Sequence, residues 1–202
     1  ARRSSGSITA GEGASAQEVA AAAAAGEALF PDPLIEKKIR ANIDKPEGPI
    51  LISDLEQLTV FSSASDLYVT DLTGLEHLVN LTEYDVSQNR VTDISPLAGL
   101  TKLTELNLWT NEISDISPLA ALTDLVKINL TKNKISDLSP LASLTNVTKL
   151  ELTKNEITDL SPLLQTGFAE GAEIRLWGEP LDAHSIDVVI PQLEAAGVKV
   201  KF

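Results

Sequence analysis

A period of 22 residues dominates this sequence. The stretch from Leu81 to Leu100 recurs from Leu103, from Leu125 and from Val147. Three columns make the register unambiguous: Asn89, Asn111, Asn133 and Asn155; Asp93, Asp115, Asp137 and Asp159; Pro96, Pro118, Pro140 and Pro162. Upstream, Leu58 to Asn80 is a degenerate copy one residue longer, keeping Val69, Asp71 and Leu75; downstream, Gly171 to Leu181 is a truncated copy displaced by two residues. That gives six units, four of them regular. A unit of this length cannot bury its own leucines, but stacked units share one continuous core.

Elementary chemistry assigns each column a role, with Leu81 taken as position 1 of its unit. Positions 4 and 6 are apolar and alternate with polar residues, the pattern of a short strand with one buried face. Tyr84 with Val86, Leu106 with Leu108, Ile128 with Leu130 and Leu150 with Leu152 are therefore expected to point inward. The Asn at position 9 turns the chain, and its amide can satisfy backbone groups exposed by the turn. Asp-Ile/Leu-Ser-Pro-Leu then opens a tight helical or 3₁₀ turn on the opposite side, with Ser or Asp as cap and Pro in its first turn. The expected fold is an α/β solenoid with a parallel sheet on its concave side and short helical turns on its convex side.

These residues resemble the leucine-rich repeat proteins. The phrase Asp-Ile/Leu-Ser-Pro-Leu-Ala-x-Leu-Thr is similar to the 22-residue repeats of bacterial internalins and their relatives, and the likeness runs from about Phe30 to Phe202. The resemblance implies a right-handed leucine-rich repeat coil with caps at both ends. It also implies a protein-binding scaffold without fixing its partner.

Four parts are expected. Residues 1–29 form a low-complexity, Ala-rich arm, in which Ser15 and Glu18 make a capping box for a helix from about Ala16 to Ala25. Residues 30–57 form an N-terminal cap, with a helix from Pro33 to Asn42 started by Asp32, a turn at Pro46 to Gly48, and an edge strand at Ile50 to Ile52. Residues 58–181 are the repeats, and residues 182–202 are a C-terminal cap. In that cap Ala183 to Ile190 is a short helix, Pro191 opens a second one ending at Gly197, and Val198 to Phe202 is an edge strand whose lysines discourage further pairing.

Composition excludes several function classes. With 16 basic and 29 acidic residues the net charge is −13, so no basic stripe for nucleic acid is expected. There is no Cys, hence no disulfide, thiol catalysis or thiolate metal site. Nothing approaches the roughly 20 consecutive apolar residues of a transmembrane helix. There is also no Met, even at position 1, so the chain is expected to be an exported or organellar product left after removal of a targeting segment, rather than a cytoplasmic one.

No chemistry-bearing constellation stands out. The two histidines, His77 and His184, lie far apart along the coil, and neither has a second His nearby. Ser185 adjoins His184 without an orienting group or oxyanion loop, and no Gly-rich phosphate loop occurs. A ladder of Asp71, Asp93, Asp115, Asp137 and Asp159 could in principle hold Ca²⁺, but capping of the following turn explains each Asp locally. The sequons at Asn80, Asn129 and Asn146 fall out of the repeat phrase itself. No enzyme, cofactor or metal is expected.

The concave face carries the functional expectation, because positions 3, 5, 7 and 8 of each unit face solvent there. The candidate contact residues are Glu83, Asp85, Glu105, Asn107, Trp109, Lys127, Asn129, Lys132, Lys149, Glu151, Lys154, Arg175 and Trp177. Ser87, Gln88, Thr110, Thr131, Thr153, Glu173 and Gly178 complete the same positions. Acid lies toward the N-terminal end, and the four lysines make a basic half within an acidic protein. Both tryptophans of the chain fall at position 7, where a small polar residue is the cheap choice, and Trp is a preferred anchor at protein interfaces. The leading expectation is a non-enzymatic module that grips a protein around Trp109, with the lysines meeting acidic residues. The alternatives are a structural subunit docked into a large assembly through Ala1 to Phe30, and a regulator of a partner enzyme.

Overall fold

A computed structural model describes residues 15–63 and 68–202. Seven strands, β1 (Val60–Ser62), β2 (Glu83–Asp85), β3 (Glu105–Asn107), β4 (Lys127–Asn129), β5 (Lys149–Glu151), β6 (Glu173–Arg175) and β7 (Lys199–Lys201), form one sheet in sequence order, every neighbouring pair parallel. The register follows the repeat: Tyr84 pairs with Leu106, Leu106 with Ile128, Ile128 with Leu150, and Leu150 with Ile174. Each position-4 side chain is buried, as are Val86, Leu108, Leu130 and Leu152 at position 6. Short 3₁₀ turns lie opposite the sheet, at Leu75–His77, Ser95–Leu97, Ser117–Ala121, Ser139–Ser143 and Ser161–Gln165. The core is one continuous apolar column from Ala28 to Val198.

The Asp column starts these turns. Asp93, Asp115, Asp137 and Asp159 each accept the N–H of the Ser two residues on, at 2.8 Å, and Asp71 accepts from Thr73 in the same way. Hydrogen bonds from the following serine hold Asp115 and Asp159 below the usual carboxylate range; the N–H of Ser117 is the main cause for Asp115, and the Ser161 hydroxyl for Asp159. The Asp, not the Ser, is therefore the capping group.

The N-terminal part of the chain folds back onto the solenoid. Helix α1 (Ala16–Ala24) carries the expected capping box, with Ser15 N donating to Glu18 at 2.8 Å and Glu18 N donating to the Ser15 hydroxyl at 3.3 Å. Beyond it, Glu27 bridges Leu51 in antiparallel fashion, and Ala28 and Phe30 enter the core. Asp32 then does two jobs. One carboxylate oxygen caps α2 (Pro33–Asn42) through Leu34 N and Ile35 N, and the other accepts from Thr70 N at 3.2 Å, tying the cap helix to the first unit. The arm expected over residues 1–14 lies outside the described residues.

Two expectations about the caps are corrected. Ile50 to Ile52 is not an edge strand: Leu51 makes a single bridge, and Ile52–Leu55 forms a one-turn helix, α3, with Asp54 accepting from Leu51 N at 2.8 Å. The edge strand is β1 instead. The C-terminal cap has one helix where two were expected. A π-helical turn over Ser185–Val189 leads directly into α4 (Ile190–Ala195), with Ile190 N donating to Ser185 O five residues back. A proline inside an α-helix clashes with the carbonyl four residues earlier. Widening the turn ahead of Pro191 accommodates the ring, so the helix continues through it.

Candidate functional site

The outward face of the sheet consists of two columns. Position 3 presents Val60, Glu83, Glu105, Lys127, Lys149, Glu173 and Lys199; position 5 presents Ser62, Asp85, Asn107, Asn129, Glu151, Arg175 and Lys201. Together they line an open groove of about 390 Å³ over β1 to β5. Like charges fall side by side in the first column, where Glu83 pairs with Glu105 and Lys127 with Lys149. Such neighbours repel unless opposite charges intervene.

The structure supplies those opposite charges. Lys127 Nζ lies 2.6 Å from Glu105, and this carboxylate raises the lysine above its ordinary range. Lys149 meets Glu151 at 3.1 Å. Arg175 joins Glu151 at 3.2 Å and Glu173 at 2.6 Å, and Lys201 reaches Glu173 at 3.0 Å. Lysine and arginine together hold Glu173 below the usual carboxylate range. Asp85 accepts Ser87 N at 2.8 Å and Asn107 Nδ2 at 3.1 Å. Lys127 and Lys149 therefore do not act as free basic groups, because their charges are already balanced within the sheet. The register could have shown this, since Glu105 stands 22 residues before Lys127 in the same column.

Positions 7 and 8 form a separate row beyond the strand ends. Trp109 is half-buried, with Lys132 Nζ 5.6 Å over its ring, and Trp177 is 51% exposed, with the Arg175 guanidinium 6.0 Å over its ring. Ser87, expected to face solvent, is buried instead. The position-8 residues Gln88, Thr110, Lys132 and Lys154 all adopt left-handed backbone, with φ between 55° and 61°. Residue types at this position do not signal it, because only the truncated unit places a glycine there, Gly178 at φ 81°.

Thr110 is the least comfortable of the four. It is β-branched in a conformation that costs an L-residue about 1–2 kcal/mol, and its Oγ1 is buried without a partner among the described residues. Thr110→Gly should therefore raise stability by about 1 kcal/mol after the loss of chain entropy is counted. Urea unfolding measures this, and Lys132→Gly, which frees no buried hydroxyl, should gain less. An unchanged or lowered midpoint for Thr110→Gly would show that the threonine is not strained.

Behind the row lies the Asn ladder. Asn111, Asn133 and Asn155 each donate Nδ2 to two carbonyls and accept one N–H from the preceding coil. Beyond Asn155 the ladder ends on a residue that sequence reading missed. Glu179 stands in the next Asn place of the shifted unit, and its carboxylate accepts from Asn155 N at 2.5 Å and Ile157 N at 3.0 Å. Partial burial raises it above the usual carboxylate range, against the lowering effect of these amides. The two-residue shift of the truncated copy is the signal that could have found it.

His77 lies in a 3₁₀ turn 4.0 Å from Glu76, and His184 precedes the closing helix. No group of three potential metal ligands occurs among the described residues, and no described helix is long and apolar enough to cross a membrane. Two of the three sequon asparagines already use Nδ2 structurally: Asn80 donates to Glu56 O at 2.7 Å and Asn146 to Thr123 O at 3.0 Å.

Comparison with known proteins agrees with this geometry. The leucine-rich repeat family, in its two-copy form, matches residues 79–121 and 123–165. No curated protein sequence matches the chain. Among solved structures, an internalin (InlF) of Listeria monocytogenes is 29% identical with a TM-score of 0.67, the match covering 85% of this chain and 56% of the internalin. This chain thus spans little more than half of that relative's length. Internalin C2 of the same organism is 24% identical with a TM-score of 0.46, over 85% of this chain and 94% of that one. A leucine-rich repeat protein of Leptospira interrogans shares the fold at 18% identity and a TM-score of 0.56, over 75% of this chain and 50% of its own. Residues 79–121 and 123–165 are thus leucine-rich repeats, and the fold is a leucine-rich repeat solenoid similar to that of the internalin.

Proposed function

We propose that the chain is a non-enzymatic protein-binding scaffold whose concave side is the contact surface and whose anchor is Trp109. The observation that carries this reading is Trp109 itself. It occupies an outward position where the next two coils place Thr131 and Thr153, and its ring is half-buried beneath the Lys132 ammonium. An aromatic held in place by its neighbours loses little freedom on binding, which favours it as an interface anchor. The leucine-rich repeat family commonly mediates protein association, which supports this reading.

The test is affinity capture from the source organism with quantitative mass spectrometry, comparing the natural chain with Trp109→Ala. Loss of an interface anchor costs about 2 kcal/mol or more, roughly 30-fold in affinity. The specific partner should therefore be depleted by at least that order in the variant, whose fold is checked by circular dichroism. Equal recovery of every captured protein with both chains would overturn the reading.

The reading in which Ala1 to Phe30 threads along a neighbouring subunit has less support. Ala28 and Phe30 are packed into this chain's own core, which leaves less of that segment to reach a neighbour.

A further inference from the structure

We propose that the row of position-7 and position-8 side chains from Trp109 to Trp177 is a docking shelf for an extended acidic peptide segment, which runs across the strand ends with carboxylates on Lys132 and Lys154 and apolar residues on the two indoles. This rests on the scaffold reading above and names the chemistry of its partner.

The shelf has a fixed backbone. In three successive coils the position-8 N–H donates to the position-7 carbonyl of the next: Thr110 to Thr131 at 2.8 Å, Lys132 to Thr153 at 2.8 Å, and Lys154 to Trp177 at 3.0 Å. The row therefore keeps strand spacing beyond the strands. Three steps of about 4.8 Å put Trp109 and Trp177 roughly 14 Å apart, the reach of four to five extended residues. Between the two indoles lie only the short, half-buried side chains of Thr131 and Thr153, so the row is low in the middle and high at both ends.

Charge selects the occupant. In the groove over the sheet, Lys127, Lys149, Arg175 and Lys201 are all paired with carboxylates within 3.2 Å. Lys132 and Lys154 are exposed, and neither forms an ion pair with a described carboxylate. They are adjacent in the row, about one strand spacing apart at the backbone, a separation that two acidic residues of an extended segment can match. The chain's net charge of −13 repels an acidic ligand at long range. At physiological salt the screening length is about 8 Å, so the two nearby ammonium groups outweigh the distant acids.

The experiment uses the two tryptophans as reporters, because the chain contains two and each gives one indole N–H signal. The ¹⁵N-labelled full chain is titrated at physiological salt with the capped peptide Leu-Asp-Glu-Asp-Leu and, separately, with its neutral counterpart Leu-Asn-Gln-Asn-Leu. Both indole signals should shift saturably with the acidic peptide, and the neutral peptide should bind about tenfold more weakly, as expected from losing two exposed ion pairs. Lys132→Gln combined with Lys154→Gln, which removes both charges but leaves unbranched polar side chains, should lower affinity for the acidic peptide by about the same factor.

Equal binding of the two peptides would overturn the acidic preference. Shifts confined to sheet amides, or a larger loss from Lys127→Gln with Lys149→Gln, would move the site into the groove. Absence of any saturable indole shift would overturn the shelf altogether. In each case a partner lost on Trp109→Ala would leave the scaffold reading standing, so the two failures are distinguishable.

Discussion

Gly74→Ala should cost about 3 kcal/mol or more and loosen the N-terminal end of the solenoid. Gly74 has φ 98°, in a region that L side chains rarely adopt. A Cβ there would strike the Leu29 carbonyl and lie 2.6 Å and 2.8 Å from two ring carbons of Phe30, which is 5% exposed. Backbone strain contributes about 1–2 kcal/mol. Expelling Phe30 from its place adds about 1.5–3 kcal/mol of lost apolar burial. The first unit and the segment Glu27 to Phe30 give way together, because the chain can relieve the clash only by separating them.

The units of a solenoid touch only their neighbours, so damage at one end can open that end alone. Two measurements therefore go together: the urea midpoint, and the rate of limited proteolysis between Ala22 and Phe30. Gly99→Ala is the control, since a Cβ at Gly99 meets nothing within 4 Å and its backbone is not left-handed. If Gly74→Ala left both the midpoint and the proteolysis rate unchanged, the close approach of Leu29 and Phe30 to the first unit would be wrong.

How much of this was readable in advance depended on whether a residue acts within its own column. Core positions such as Leu106 and Ile128 repeat without exception, so period and polarity alone were enough to place them. The Asp caps were legible for the same reason. What escaped were relations between columns or departures from the period. The left-handed residues before the Asn ladder are Gln, Thr and Lys, types that do not advertise that backbone. Glu179 does the work of an asparagine two residues out of phase. The unbroken helix through Pro191 depends on a widened turn that residue types do not encode, and α3 starts at Ile52, the last residue of the stretch Ile50 to Ile52 that reads as a strand.

The candidate site divides along the same line. Its members were found from periodicity, because outward positions are the complement of the core. Its electrostatics were misjudged, because counting lysines along the chain ignores what stands one coil away. Once the 22-residue register is imposed, Glu105 stands beside Lys127, while Lys149 is paired with Glu151 two residues along its own strand, and the basic half shrinks to Lys132 and Lys154.

Asn133→Ala should cost about 2–4 kcal/mol, through the backbone rather than through lost volume. Asn133 is 8% exposed. Its Nδ2 donates to Leu108 O and Leu130 O, each at 3.0 Å, and its Oδ1 accepts from Ile113 N at 3.1 Å. The two carbonyls are shared: Leu108 O also accepts from Asn111, and Leu130 O from Asn155. Truncation thus removes one of two donors at each carbonyl but orphans the Ile113 N–H completely. That buried donor has no water to turn to, which sets the size of the loss.

Asn133→Asp separates this account from a simple packing effect. The new side chain keeps the acceptor for Ile113 N but turns both donated bonds into repulsion between a carboxylate and two carbonyls. The protonated acid restores one donor, so the folded state holds the proton more tightly than the unfolded chain does. A group raised in this way stabilises below its unfolded pKa and loses that stabilisation as pH rises through its folded one. The deficit of Asn133→Asp relative to the natural chain, measured by urea unfolding, should therefore be largest at neutral pH and shrink on acidification toward pH ~4, where carboxyl groups titrate. Asn133→Ala carries no titrating group, so its deficit should stay level over the same range. If the two deficits moved in parallel with pH, the ladder would be holding the coils by shape alone.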